Sequence, residues 1–208
     1  MMLSNEFADK LMGVLFKNVD QSSWMRTFYS YCIDSKYRKY ARLDKFLKDQ
    51  ITNYAIRYVL EEEAENIPER KNYDLQIVEI LKYVKKNYAY VLDKYNYGSE
   101  EMWATADKII GKKKDDCDGL NSLVYLLARI KGIPSYMLYN AIGDVNGGGH
   151  YWLLYFSPTT GLLYPIDATY WVSFMDIPSR SVFKFTKSKY HSIWYLFNEN
   201  RIFKTRSE

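Results

Sequence analysis

The first part of the chain spaces its apolar residues by three and four, which gathers them on one side of a helix. Residues 3–17 form a short amphipathic candidate. From Ser35 to Glu65 the stripe Leu43, Leu47, Ile51, Tyr54 and Tyr58 predicts one long helix, closed off by Pro68. A third helix, capped by Asn72 or Asp74, carries Ile77, Leu81, Val84, Tyr88, Val91 and Tyr95 and stops at Gly98. A fourth begins near Cys117, presents Leu120, Leu123, Val124, Leu127 and Ile130, and ends at Gly132 and Pro134.

Beyond Pro134 the texture shortens. Ser135–Ile142 is a brief apolar run, and Gly143–Gly149, with three consecutive glycines, predicts a loop. His150–Phe156 alternates and is rich in aromatics, the mark of a strand. Ser157–Gly161 is a turn, and Leu162–Asp167 is the next strand. Ile193–Phe197 and Arg201–Lys204 flank Asn198-Glu199-Asn200 as a hairpin. Helices followed by an antiparallel sheet predict an α+β fold.

Composition narrows the partners. Of 208 residues, 48% are hydrophobic and 26% charged, ordinary for one or two globular domains. No run of 18 apolar residues occurs, so no membrane span is expected. No basic head precedes an apolar stretch at the start, so no secretory signal is expected and the predicted location is cytoplasmic. Two cysteines cannot build a disulfide framework, and both are expected to be reduced thiols. The net charge of +4 is a mild excess. Lys112-Lys113-Lys114 is cancelled at once by Asp115-Asp116, so nucleic acid is not an expected partner. The 21 tyrosines suit wet cores and contact surfaces, and equally an AT-rich genome.

Three side chains carry candidate chemistry. Cys117 sits where a loop becomes a helix, and the free amides there favour a thiolate and could hold an oxyanion. An isolated cysteine is more often a small buried hydrophobe, and Cys32, which no helix start marks, is read that way. His150 opens a strand after a glycine run, while His191 has no obvious partner and reads as surface or structural. If Pro158 and Thr159 are the central turn residues, His150 lies directly opposite Asp167. Cβ atoms of opposed residues are about 4.5–5.5 Å apart, close enough for a carboxylate to orient an imidazole. A bulge at Gly161 would change that register. Thiol, base and orienting acid, in that order, suit a thiol hydrolase or acyltransferase. The other options are weaker. Two cysteines and two histidines do not make a closed zinc site. Asp115, Asp116 and Asp118 do not follow a calcium-loop pattern. The glycine run is no phosphate loop. No metal and no cofactor is expected.

Several stretches resemble bacterial transglutaminase-like cysteine peptidases and the transglutaminase core. They are Tyr97-Gly98-Ser99-Glu100-Glu101-Met102-Trp103-Ala104-Thr105-Ala106, Asp116-Cys117-Asp118 with its Leu-rich helix and Gly132-Ile133-Pro134, His150-Tyr151-Trp152, and Pro165-Ile166-Asp167-Ala168-Thr169. The resemblance covers about residues 73–172, with spacings of 33 and 17 residues between Cys117, His150 and Asp167. It implies a papain-like fold with Cys117 as nucleophile, His150 as general base and Asp167 as orienter. It also implies that Trp103 and Asp116 shape the site, with the part of the Trp103 indole N–H in an oxyanion pocket left open. The usual family run is Gly-Asp-Cys-Glu-Asp, whereas this chain has Asp115-Asp116-Cys117-Asp118-Gly119. Those carboxylates oppose a thiolate, and as helix caps they have a structural role.

The expected organisation is a helical extension over 1–70 and a cysteine-hydrolase core over 71–208. The expected activity is hydrolysis of a peptide or carboxamide bond in a peptide or protein substrate. The alternative is a non-catalytic structural or assembly module, such as a phage virion component, with a protein partner docked on the N-terminal helices.

Overall fold

A computed structural model describes residues 16–18, 43–170, 190 and 192–205. Most of the helix expected over 3–17, and both Cys32 and His191, lie outside them. Residues Phe16–Asn18 form a strand, β1, rather than the end of that helix.

The long stripe before Glu65 is two helices, α1 (Leu43–Thr52) and α2 (Tyr54–Glu65). The break falls at Asn53, whose side chain accepts the amides of Ala55 and Ile56 at 3.1 and 3.4 Å. An asparagine that offers its own acceptor to the backbone starts a helix better than it continues one. Helix α3 (Tyr73–Asn87) begins as expected, with Asn72 accepting the Asp74 amide at 2.7 Å. It stops well short of Gly98. Tyr88 is extended (φ −124°, ψ 132°), and β2 (Ala89–Tyr90) pairs in parallel with β3 (Lys114–Asp115). Tyr88, Tyr90 and Val91 are strand-favouring types, and pairing overrides the helical spacing. Two short helices follow, α4 (Asp93–Asn96) and α5 (Ala106–Lys112). Helix α6 spans Cys117–Ile130, as its pattern predicts.

The remaining strands are β4 (Leu138–Val145), β5 (Gly148–Phe156), β6 (Leu163–Ile166), β7 (Ser192–Phe197) and β8 (Ile202–Thr205). With β1 they form a sheet of order β1-β8-β7-β4-β5-β6, every neighbouring pair antiparallel. The expected loop at Gly143–Gly149 is mostly strand. β4 and β5 meet through a two-residue turn, Asn146-Gly147, with φ of 54° and 84°. Two successive left-handed residues match the twist of a hairpin, and Asn-Gly supplies them at least cost.

One face of the sheet packs on the helices. Tyr151, Leu153, Tyr155 and Phe197 share a core with Leu120, Leu123 and Leu127 of α6, and with Leu43, Leu60, Ile77 and Leu81 from α1, α2 and α3. The other face is a second cluster around Trp152, Leu154, Phe156 and Leu163. Helix α6 is buried nearly all round because it lies in the middle of the first layer. Among the described residues no helix is long and apolar enough to cross a membrane. The α+β arrangement is the expected one.

Candidate active site

Three elements converge on the start of α6. Asp116 caps the helix, and its Oδ1 accepts the Asp118 amide at 3.2 Å. Cys117 is the first helical residue and is half-buried. The Gly119 amide is taken by Asp118 Oδ1 at 2.9 Å. Two of the first amides therefore already hold side-chain oxygens, which leaves less of an oxyanion pocket than the helix start alone suggests. Among the described residues the Cys117 amide has no acceptor.

His150 and Asp167 meet. Nε2 of His150 lies 2.8 Å from Oδ2 of Asp167, and both side chains are buried. Their register is not the expected one. Ser157 pairs with Leu162 and Phe156 with Leu163, so a four-residue loop replaces the two-residue turn. The strand partners are displaced by two positions, and Asp167 lies just past the end of β6, diagonal to His150. Side chains alternate with period two, so a shift of two keeps both on one face. The contact survives for that reason.

The neighbours of Asp167 decide the tautomer. Burial alone would raise its pKa, but hydrogen bonds from His150, from the Tyr190 hydroxyl at 2.8 Å and from the Thr169 amide at 2.8 Å hold it below the ordinary carboxyl value. An ionised Asp167 only accepts, so Nε2 carries the proton and the basic lone pair of a neutral ring lies at Nδ1. Trp152 stacks on the imidazole at 6.0 Å between ring centres, and Tyr170 lies 4.7 Å away on a tilted plane. Lys85 of α3 steadies the loop after Asp167, donating to the carbonyls of Ala168 and Tyr170 at 3.0 and 3.3 Å.

The thiol is the departure. Its environment raises the pKa of Cys117, first through burial and then through Asp116, Glu101 and Asp167. The thiolate-favouring helix start is outweighed. No hydrogen bond joins Sγ to His150 among the described residues. Trp103 is buried, with an edge-on contact to Tyr151 at 5.4 Å, and its indole N–H goes to Glu101 Oε1 at 2.9 Å. It shapes the wall of the site, and that N–H is already occupied.

The sequence pattern did not single out Asp93, Glu101, Asn121, Tyr190 or Lys85. Asp93 comes from the segment read as helix, and the β2–β3 pairing draws it to the start of α6. Ligand atoms of Asp93, Asp115, Asp116 and Asp118 all lie within 4.8 Å of one another, and all four residues are buried. Asp93 Oδ2 accepts the Met102 amide, while Asp93 Oδ1 is buried with no hydrogen-bond partner among the described residues. Burial, Asp116 and Asp115 push the Asp93 carboxyl up to about 8. Burial also raises Asp115 to about 7, against the hydrogen bonds from the Tyr97 hydroxyl at 2.8 Å and the Asp116 amide at 2.9 Å. Asp118 is raised well above its usual range by burial and Asp116. An all-carboxylate donor set with one orphaned buried oxygen fits a hard divalent cation.

The sequence model of the transglutaminase-like superfamily matches residues 62–174, more than half of the chain. No curated protein matches. Among solved structures, Legionella pneumophila LapG in an EGTA-treated form is similar over 91% of this chain and 88% of its own, with 12% identity and a TM-score of 0.53. Calcium-bound Legionella pneumophila LapG is similar over 99% and 91%, with 14% identity and a TM-score of 0.52. At these identities the likeness is one of fold, a papain-like core.

Proposed function

The chain belongs to the transglutaminase-like superfamily, and from that premise we propose that it is a thiol hydrolase or acyltransferase acting on peptide or carboxamide bonds through Cys117, His150 and Asp167. The observation that carries this reading is the 2.8 Å contact between His150 Nε2 and an ionised Asp167, which leaves Nδ1 as the base. A triad of this kind needs one imidazole nitrogen held by the acid and the other free to take the thiol proton. The thiol proton passes to Nδ1, sulfur bonds to the acyl carbon, and the departing amine takes the proton back from the imidazolium. Water then adds to the thioester, with His150 again as base, releasing the acid and restoring the thiol. An amine in place of water gives a new amide. The lack of a thiol–imidazole hydrogen bond among the described residues is compatible with this, because catalytic contacts in a ligand-free site commonly tighten when substrate binds.

The acidic cluster belongs to the same reading. Asp93, Asp115, Asp116 and Asp118 are the residues that would hold a calcium ion, the ion named for one of the LapG structures. Bound there, a divalent charge offsets the carboxylates that oppose the thiolate. Calcium at one hundred times its Kd should raise the melting temperature by about 5–10 °C. Asp93→Asn should remove most of that shift. No shift in the unaltered protein would discard the cation site and leave the triad to be tested separately.

A second reading has its own support. A thiol held protonated by burial and neighbouring acids suits a structural or assembly module that has kept the fold without turnover. The two readings part on Cys117. In the catalytic one, Cys117→Ala folds normally and loses hydrolysis of a peptide library completely. Iodoacetamide also modifies the Cys117 peptide in the native protein near neutral pH with calcium present, as followed by mass spectrometry. Equal turnover in Cys117→Ala and the unaltered protein would sink that reading.

A further inference from the structure

Asn121 sits one helical turn after Cys117 on α6, beside the buried Leu120, Val124 and Tyr125, and it is fully buried. Its amide nitrogen donates to Cys117 O at 3.0 Å and Tyr151 O at 2.8 Å, with a longer shared contact to Asp167 Oδ1 at 3.3 Å. Its Oδ1 accepts the Ala168 amide at 2.7 Å. The amide can point only one way: oxygens face the NH2 group, and an N–H faces the oxygen. With a further contact from the amide nitrogen to Thr169 Oγ1 at 3.5 Å, the five partners belong to three segments. Cys117 is the nucleophile itself, Tyr151 follows His150, and Ala168 follows Asp167.

We propose that Asn121 is the positioning residue of the site, one side chain that fixes the nucleophile's helical turn, the histidine's strand and the aspartate's loop relative to one another. The proposal rests on the thiol reading for its purpose, not for its geometry. Asp167 Oδ2 faces His150, while its Oδ1 is held by Thr169, Tyr170 and Asn121. Those contacts set the roll of the carboxylate. Asn121 is the member that also reaches the helix of the thiol and the strand of the imidazole. A buried amide whose NH2 group and oxygen are both engaged gives a rigid joint, since any movement of one segment strands a polar group away from water.

The test follows the Asp167 carboxyl by carbon NMR titration in the full chain. Asn121→Ala should move its midpoint up by about one unit, because a donor to the charged form is lost. Asn121→Asp keeps the volume and puts a second carboxyl beside the first, so the upward shift should be larger. Leu123→Ala, fully buried on the same helix, is the stability control and should leave the midpoint in place. An unmoved midpoint in both Asn121 variants, or an equal shift in Leu123→Ala, overturns the proposal. The unaltered protein gives a reading that needs no folded variant: the Asn121 side-chain NH2 signals should exchange slowly with water and shift with the Asp167 midpoint. Fast exchange overturns the proposal. None of these measurements needs turnover. A protein that hydrolyses nothing yet shows these shifts would refute the thiol chemistry and keep Asn121 as the joint; hydrolysis without the shifts would do the reverse.

Discussion

Gly119 has no room for a side chain. A Cβ there would lie 2.2 Å from the Asp115 carboxyl carbon and 2.5 Å from its Oδ2. Asp115 cannot easily yield, because Tyr97 and the Asp116 amide hold both of its oxygens. This explains the departure from the family run. Relative to Gly-Asp-Cys-Glu-Asp, glycine and acid have changed places on either side of Cys117, and the Asp115 carboxylate fills the space above residue 119. Gly119→Ala should cost about 1–3 kcal/mol by overpacking, read from chemical denaturation. Adding Asp115→Gly to Gly119→Asp should restore much of the stability that Gly119→Asp loses alone, and a strictly additive double variant would show that the two positions do not share this space.

Among the elements, the sequence shows most where a pattern is long and local. Helix α6 and strand β5 were legible because their apolar spacing and their burial agree over many residues. The turn at Asn146-Gly147 was legible in principle, yet the neighbouring glycines disguised it as a loop. At Asn53 a cap competes with a continuous stripe, and the local hydrogen bonds win. Asn53→Ala should cost about 1 kcal/mol in thermal or denaturant unfolding, the usual loss for such a cap. Other features depend on contacts distant in sequence and could not be seen. Asp93 reaches the helix start only because β2 pairs with β3, and no periodicity within residues 88–97 encodes that pairing. The sequence places His150 opposite Asp167 on a register two residues from the observed one, and the parity of the strand keeps the two side chains neighbours. Asn121 left one trace, a polar residue at an apolar helical position, which alone is too common to interpret.

At the scale of the whole molecule, Glu63 shows how the early helices are joined to the rest. Its carboxylate accepts from Tyr83 at 2.6 Å, Tyr88 at 2.5 Å and Lys113 at 2.6 Å, so α2 is bound to α3 and to the chain entering β3. Burial would raise the Glu63 pKa, but Lys113 and the two phenols outweigh it and hold the group below its ordinary value of 4.5. A depressed folded-state pKa contributes stability above the unfolded value, and that contribution is lost as pH falls through the folded one. The melting temperature should therefore decline on acidification below about pH 4.5. Glu63→Gln should cost about 1–3 kcal/mol at neutral pH and flatten that decline. An identical acid profile in the variant would assign the decline to other carboxylates.

The loop between β5 and β6 has a numerical consequence for anyone reshaping this protein. Lengthening or shortening it by an even count of residues keeps the imidazole and its acid on a common side of the pleat, whereas an odd change sends one of them to the opposite side. Diversity introduced there should be tolerated in steps of two, and a library graded by loop length would show function alternating with parity.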